Sequence, residues 1–252
     1  MHSDNNILVV VDAIDGAGKT TVLKAMAQHL ANQGLRTFDV PAYAKEHHVL
    51  PEFDYPEVQA ADVLLSAEPT YAWIGAAVRE EFIKPHTNRT YDGMIVANVF
   101  ALDRQILFSR LILPFLSARQ NRWIIQDRGV ITSLAYQPLQ DESVKLPWLL
   151  QLEGNRLELS RAPDLLIILD LPALQAQERV ANRGERQDIF EETDFQTRLE
   201  ARYHDEAVLA PFREQGTKVV YLDATQPAEL VAKQACEELE KMKKREIAGA
   251  GP

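Results

Sequence analysis

The sequence predicts an α/β fold: a parallel sheet of about five strands with helices on both faces. Three observations predict it. Short runs such as Ile7–Val11 and Asp164–Leu169 are apolar almost throughout, the mark of strands buried on both faces. They alternate with longer stretches of helical apolar spacing. The first run passes through a Gly-rich turn, Asp12-Ala13-Ile14-Asp15-Gly16-Ala17-Gly18, into Lys19-Thr20-Thr21 and an amphipathic stretch from Val22 to Ala31. Strand, Gly-rich turn and helix with Gly-Lys-Thr at its start make a P-loop.

The chemistry of that turn accounts for its residue types. Gly16 and Gly18 let backbone N–H groups approach a phosphate with no Cβ in the way. The helix N-terminus adds unpaired donors and the positive end of its dipole. Lys19 brings a point charge and Thr20 a hydroxyl for Mg²⁺. Ala13 replaces the first glycine of the pattern, so the turn takes a negative φ there.

The remaining elements follow in order. The first helix is expected to end at Gly34, and Leu35–Val40 reads as a strand. Pro41 to Ala61 has no clean period and carries Pro41, Pro51 and Pro56, so it reads as an irregular insertion. His47 and His48 on such a loop point apart and suggest no metal. Asp62–Ser66 is a short strand that delivers Glu68-Pro69-Thr70 to a turn. Tyr71–Ile83 has helical spacing, and Tyr91–Leu116 is a long helix apolar around much of its circumference, which Pro114 can kink. Arg122–Gln126 is a strand ending in Asp127-Arg128-Gly129, and a helix is expected from near Thr132. Helices over Leu146–Leu159 and Thr193–Gln215, a strand at Lys218–Leu222 and a closing helix over Pro227–Arg245 complete the pattern. Asp12, Asp127 and Asp170 fall at carboxyl ends of strands, the edge where ligands bind open α/β sheets.

The 252 residues suit one domain over 1–245, with a lid at about 183–192 and a frayed tail over 246–252. A net charge of −10 excludes a general nucleic-acid footprint, so an anionic ligand must meet a local basic cluster. Cys236 is the only cysteine, which excludes an intrachain disulfide and a Cys-rich metal site. No apolar run reaches membrane-spanning length and no signal-peptide pattern opens the chain, so a cytoplasmic protein is expected.

Five blocks, in order, resemble the thymidylate kinase family of P-loop nucleoside monophosphate kinases. They are Ile14–Thr21; Glu68-Pro69-Thr70 with Ile74-Gly75 and Arg79; Phe100-Ala101-Leu102-Asp103-Arg104; Asp127-Arg128 through Ser133-Leu134-Ala135-Tyr136-Gln137; and Pro163–Asp170 with Arg179, Arg183-Gly184 and Asp188. The resemblance runs from the P-loop to about Val231. It implies a three-layer P-loop kinase fold, Mg²⁺-dependent transfer of the ATP γ-phosphate to dTMP, and a homodimer, with neither nucleic acid nor membrane as partner. Gly16, Ala17, Gly18, Lys19, Thr20 and Thr21 would bind ATP, and Thr20 and Asp127 would place the metal. Asp15, Glu68, Arg79, Phe100, Arg104, Arg128, Ser133, Tyr136 and Gln137 would bind dTMP. Within that set Phe100 would stack on the base and Arg104 bond its carbonyl. Arg79 and Arg128 would hold the 5′-phosphate, Asp15 the 3′-hydroxyl, and Tyr136 would exclude a ribose. Lys19, Asp15, Arg128, Arg183 and Arg186 would be catalytic. The chain departs from the family at Gly16, where some members carry arginine, and at Ala67, Gly129 and Ile189. Those departures leave two other readings: the same chemistry on another or several deoxynucleoside monophosphates, and an inactive nucleotide-binding regulator.

Overall fold

The computed structural model describes residues 5–83, 90–182 and 189–249. Its centre is β1 (Ile7–Asp12), buried at every position and paired in parallel with β4 (Trp123–Asp127) and β5 (Leu165–Asp170). β3 (Val63–Ala67) lies outside β4, and β6 (Lys218–Asp223) outside β5. The sheet has six strands, not about five, in the order β2-β3-β4-β1-β5-β6. One edge is β2 (Thr37–Asp39), a short strand on which only the middle of the expected Leu35–Val40 run pairs.

α1 (Lys19–Asn32) runs from the P-loop across the sheet and stops at Gly34 as expected. Leu35 N–H donates to Leu30 O and Gly34 N–H to Ala31 O, which satisfies the last carbonyls. The segment read as an irregular insertion is instead ordered as α2 (Val40–His47) and α3 (Pro56–Ala60). Pro41 and Pro56 sit in the first turns, where no backbone N–H is needed, so residues that read as breakers are helix starts. Asp39 caps α2 by accepting from Ala42 N at 2.8 Å. His47 closes α2 with its ring against Tyr43, and no metal-ligating cluster occurs among the described residues.

Three expected helices are broken. Tyr91–Leu116 is α5 (Gly93–Leu107), a wider π-helical segment (Phe108–Ile112) and α6 (Leu113–Ala118), with Pro114 in the first turn of α6. A proline there has no N–H for the preceding turn, and the register widens just before it. Leu146–Leu159 splits into α8 (Leu146–Leu149) and α9 (Glu153–Ser160). The break lets α9 lie on α5 so closely that a Cβ on Gly154 would stand 1.8 Å from the Ala101 carbonyl oxygen. Thr193–Gln215 splits at Asp205, which caps α12 (Glu206–Glu214) after α11 (Ile189–Tyr203). α4 (Trp73–Ala77) leads into a π-helical turn, Val78–Ile83. α7 (Val130–Gln140) starts two residues before Thr132, α10 (Ala173–Ala181) follows β5, and α13 (Ala228–Gly249) continues past the expected end at Arg245. No described helix is long and apolar enough to cross a membrane.

Candidate active site

All parallel strands end on one edge, and the P-loop leaves β1 at its middle. Gly16 (φ 85°) and Gly18 (φ 93°) take the left-handed conformation that bends the loop. A Cβ on Gly16 would come within 2.6 Å of the Ala176 carbonyl of α10, so this position has no room for a side chain. Gly16, Ala17 and Gly18 form the turn, and Thr20 and Thr21 are exposed on the first turn of α1. Lys19 folds back over the loop, with Nζ 3.3 Å from Ala13 O, 3.4 Å from Ile14 O and 3.9 Å from an Asp15 carboxylate oxygen.

Burial and the nearby Arg128 charge push the Lys19 ammonium down to about 8. A phosphate ligand needs that charge, so ADP affinity measured by titration calorimetry is expected to fall as pH rises through about 8. An affinity unchanged between about pH 7 and about pH 9.5 would remove Lys19 from phosphate binding.

Asp12, fully buried, ties four segments together. It accepts from Ala13 N (2.8 Å), Arg128 Nη1 (3.2 Å), Thr132 Oγ1 (2.5 Å) and the Tyr203 hydroxyl (2.9 Å). Arg128 itself is left-handed (φ 65°), an uncommon state for a residue with a side chain. Its guanidinium also bonds Ala13 O at 3.1 Å and the Asp15 carboxylate at 2.5 Å. Desolvation opposes the charge on Asp15, but Arg128 and Lys19 outweigh it and hold the carboxyl below its usual range. Sequence reasoning placed Asp12 at a strand end but gave it no role, and it missed Tyr203. An acidic residue closing the most buried strand was the available signal.

A cavity of about 940 Å³ opens beside this loop. Asp15, Glu68, Arg79, Phe100, Arg104, Arg128, Ser133, Tyr136 and Gln137 all line it, together with Asp127, Gly129 and residues of α10 and α11. Phe100 and Arg104 come from α5, Ser133, Tyr136 and Gln137 from α7, and Asp15, Glu68 and Arg128 from the segments that follow β1, β3 and β4. Thr70 donates twice to Asp103, from N to Oδ2 and from Oγ1 to Oδ1, both at 2.7 Å, which fastens the Glu68–Thr70 turn to α5. Arg79 Nε bonds Thr70 O at 3.1 Å, and its guanidinium lies 3.7 Å from the centre of the Tyr71 ring. Tyr136 packs against Phe195 of α11.

Arg104, 2 % exposed, is the most constrained of these groups. It pairs with Glu68 at 2.7 Å and with Glu158 of α9 at 2.8 Å, and it also donates to Asn155 and to Ser133. Burial pushes both glutamates above the usual carboxylate range, against the pull of Arg104. Sequence reasoning missed Asn155 and Glu158, which read as the polar positions of an amphipathic helix.

Buried oxygens without a hydrogen-bond partner among the described residues include Gln137 Oε1 and Asp127 Oδ1, both on residues that line the cavity. A carboxylate oxygen left open at the end of β4, near the Lys19 charge, is a hard oxygen donor of the type that suits Mg²⁺, and the Thr20 hydroxyl on the first turn of α1 is another. Arg183, Gly184, Arg186 and Asp188, and with them most of the expected lid, lie outside the described residues.

A family model described as thymidylate kinase matches residues 54–235. The P-loop lies before that span and rests on its own residues. The chain is 30 % identical over 200 residues to a protein of Pyrococcus abyssi named "Probable thymidylate kinase", covering 77 % of this chain and 80 % of that one. Proteins of the same name from Caldivirga maquilingensis and Methanospirillum hungatei are 28 % and 26 % identical, over 75 % and 92 % of each chain in turn.

Proposed function

The chain belongs to the thymidylate kinase family, and from that premise we propose that it transfers the γ-phosphate of ATP to dTMP, giving ADP and dTDP, with Mg²⁺. The observation that carries the reading is the cavity: every residue expected to hold dTMP lines one space beside the P-loop.

In this reading Lys19 and the N–H groups at the start of α1 hold the donor phosphates. Arg79 and Arg128 approach the acceptor phosphate, and their forked guanidinium geometry suits it. Phe100 offers its ring face to the base and Arg104 its edge, where arginine can only donate. Tyr136 and Asp15 meet the sugar. Thr20 and Asp127 would hold Mg²⁺, which when bound neutralises charge on the transferring phosphate. Arg183 and Arg186 would close over that phosphate, and replacing them is read in kcat rather than KM. Catalysis is positioning and charge stabilisation, with no covalent protein intermediate.

A coupled ADP-release assay with ATP and a panel of nucleoside monophosphates tests this. Thymine and uracil present a carbonyl to Arg104, and cytosine an amino group that would face its donors. The expected order is dTMP, then dUMP, with dCMP, UMP and purine nucleotides behind by about tenfold or more. Preference for dCMP or a purine nucleotide would make the chain a kinase of another acceptor. Tight ATP binding without turnover of any acceptor would make it a nucleotide-binding regulator.

A further inference from the structure

We infer that Glu158, with Asn155 on the same face of α9, is a positioning residue for acceptor recognition: it holds the Arg104 guanidinium at the cavity wall, and Gly129 is the opening that admits it. The inference rests on the reading of Arg104 as the group that meets the base.

Three features place α9 in that role. The close contact at Gly154 presses α9 onto α5, the helix that carries Arg104, and turns Asn155 and Glu158 toward it. Glu158 Oε2 then sits 2.8 Å from Arg104 Nε and accepts the Val130 N–H at 2.8 Å, so one carboxylate oxygen joins the guanidinium to the first residue of α7. Its other oxygen, Oε1, is buried and has no hydrogen-bond partner among the described residues. That oxygen fills the space beside Gly129: a Cβ at Gly129 would stand 2.5 Å from it. The Gly129 backbone is extended (φ −166°), a conformation open to any residue. Glycine is needed here for room, and the room is taken by Glu158.

The hydrogen-bond inventory shows what the clamp achieves. A guanidinium has five N–H groups. Nε–H donates to Glu68, one hydrogen on Nη1 goes to Asn155 and one on Nη2 to Ser133, while the Glu68 and Glu158 carboxylates pair with Nη2 at 2.7 Å and with Nε at 2.8 Å. The second hydrogen on Nη1 has no partner among the described residues and is left for a ligand, and the other bonds fix its direction. A buried arginine shared by two carboxylates is a poor route to stability, because desolvating three charges cancels much of their attraction. A fixed donor facing a ligand cavity is what such an arrangement does provide. Discrimination between a carbonyl and an amino group at the base edge depends on that donor staying in place.

The test uses the full chain with dTMP and dCMP as acceptors. Glu158→Gln keeps the volume and removes the charge. It is expected to raise KM for dTMP by about tenfold and to lower the dTMP-over-dCMP ratio of kcat/KM by a similar factor. KM for ATP and kcat are expected to stay within about twofold of wild type. Gly129→Ala should give the same split, since the new Cβ displaces the carboxylate. Adding Glu158→Asp to Gly129→Ala shortens the acid and should restore most of the lost selectivity. A Glu158→Gln enzyme with wild-type KM and selectivity overturns the inference. So does a parallel fall in kcat, ATP affinity and melting temperature at unchanged selectivity, which marks a purely structural role. If Glu158→Gln does not fold, the Gly129→Ala pair decides alone: wild-type behaviour of Gly129→Ala, or no rescue by Glu158→Asp, overturns it. Should the wild-type enzyme refuse dTMP, the proposed reaction fails instead, and the same variants are read on the acceptor it prefers.

Discussion

Lys19→Ala is expected to lower kcat/KM by about 10³-fold or more while the fold stays intact. Lys19 is the only cationic side chain of the P-loop, and α10 occupies the space above Gly16 where a second could stand. The effect on the unliganded protein has the opposite sign. The ammonium is held down to about 8 because it is buried beside Arg128, so below that pH the folded state carries a poorly solvated charge that the unfolded chain keeps in water. Removing it should raise the melting temperature at pH 7, and the gain should shrink as pH rises through about 8 toward the free lysine value near 10.4. Steady-state kinetics and thermal scans on the same preparation check both halves. Turnover near wild type would eliminate Lys19 from the reaction. Lower activity together with a lower melting temperature would mean a structural role.

The P-loop and the five blocks were legible because each is local: glycine spacing, a lysine at a helix start, an aromatic and an arginine one turn apart. The sheet was legible in its buried strands, and at β2 the expected run Leu35–Val40 was longer than the three residues that pair, two of which are exposed. Pro41 and Pro56 misled because a proline reads the same as a breaker or as a first-turn residue. The cap on Asp39 that separates the two cases needs the following N–H groups in place. The buried wall of the cavity was the least legible part. Glu158 has the spacing of a solvated helix position, and its burial follows from a crossing of α9 on α5 that Gly154 permits. Gly129 stood out as a departure from the family, and its reason became visible only with the Glu158 oxygen beside it. A contact between residues distant in sequence leaves no period to read.

Arg104→Met is expected to cost about 3–5 kcal/mol of folding stability at neutral pH, in addition to its effect on acceptor choice. The buried surroundings of Arg104 set that cost. Methionine fills much of the volume but leaves Glu68 and Glu158 facing each other without a cation, and both are already pushed up by burial with Arg104 present. Without it their folded-state values rise further above those of the unfolded chain. A carboxyl shifted upward favours the fold while protonated and loses that contribution as pH rises, so the penalty should be small near pH 5 and grow toward pH 8. Urea unfolding of the wild type and the variant at the two pH values measures it. Glu158→Gln in the Arg104→Met background removes one of the stranded charges and should recover part of the loss. A penalty independent of pH, or a double variant no more stable than Arg104→Met alone, would show that the carboxylates do not depend on Arg104 for their charge. With that coupling present, the base-reading arginine and the acids that hold it act as one buried unit, and acceptor selectivity cannot be altered at Arg104 without also changing the charge balance of the core.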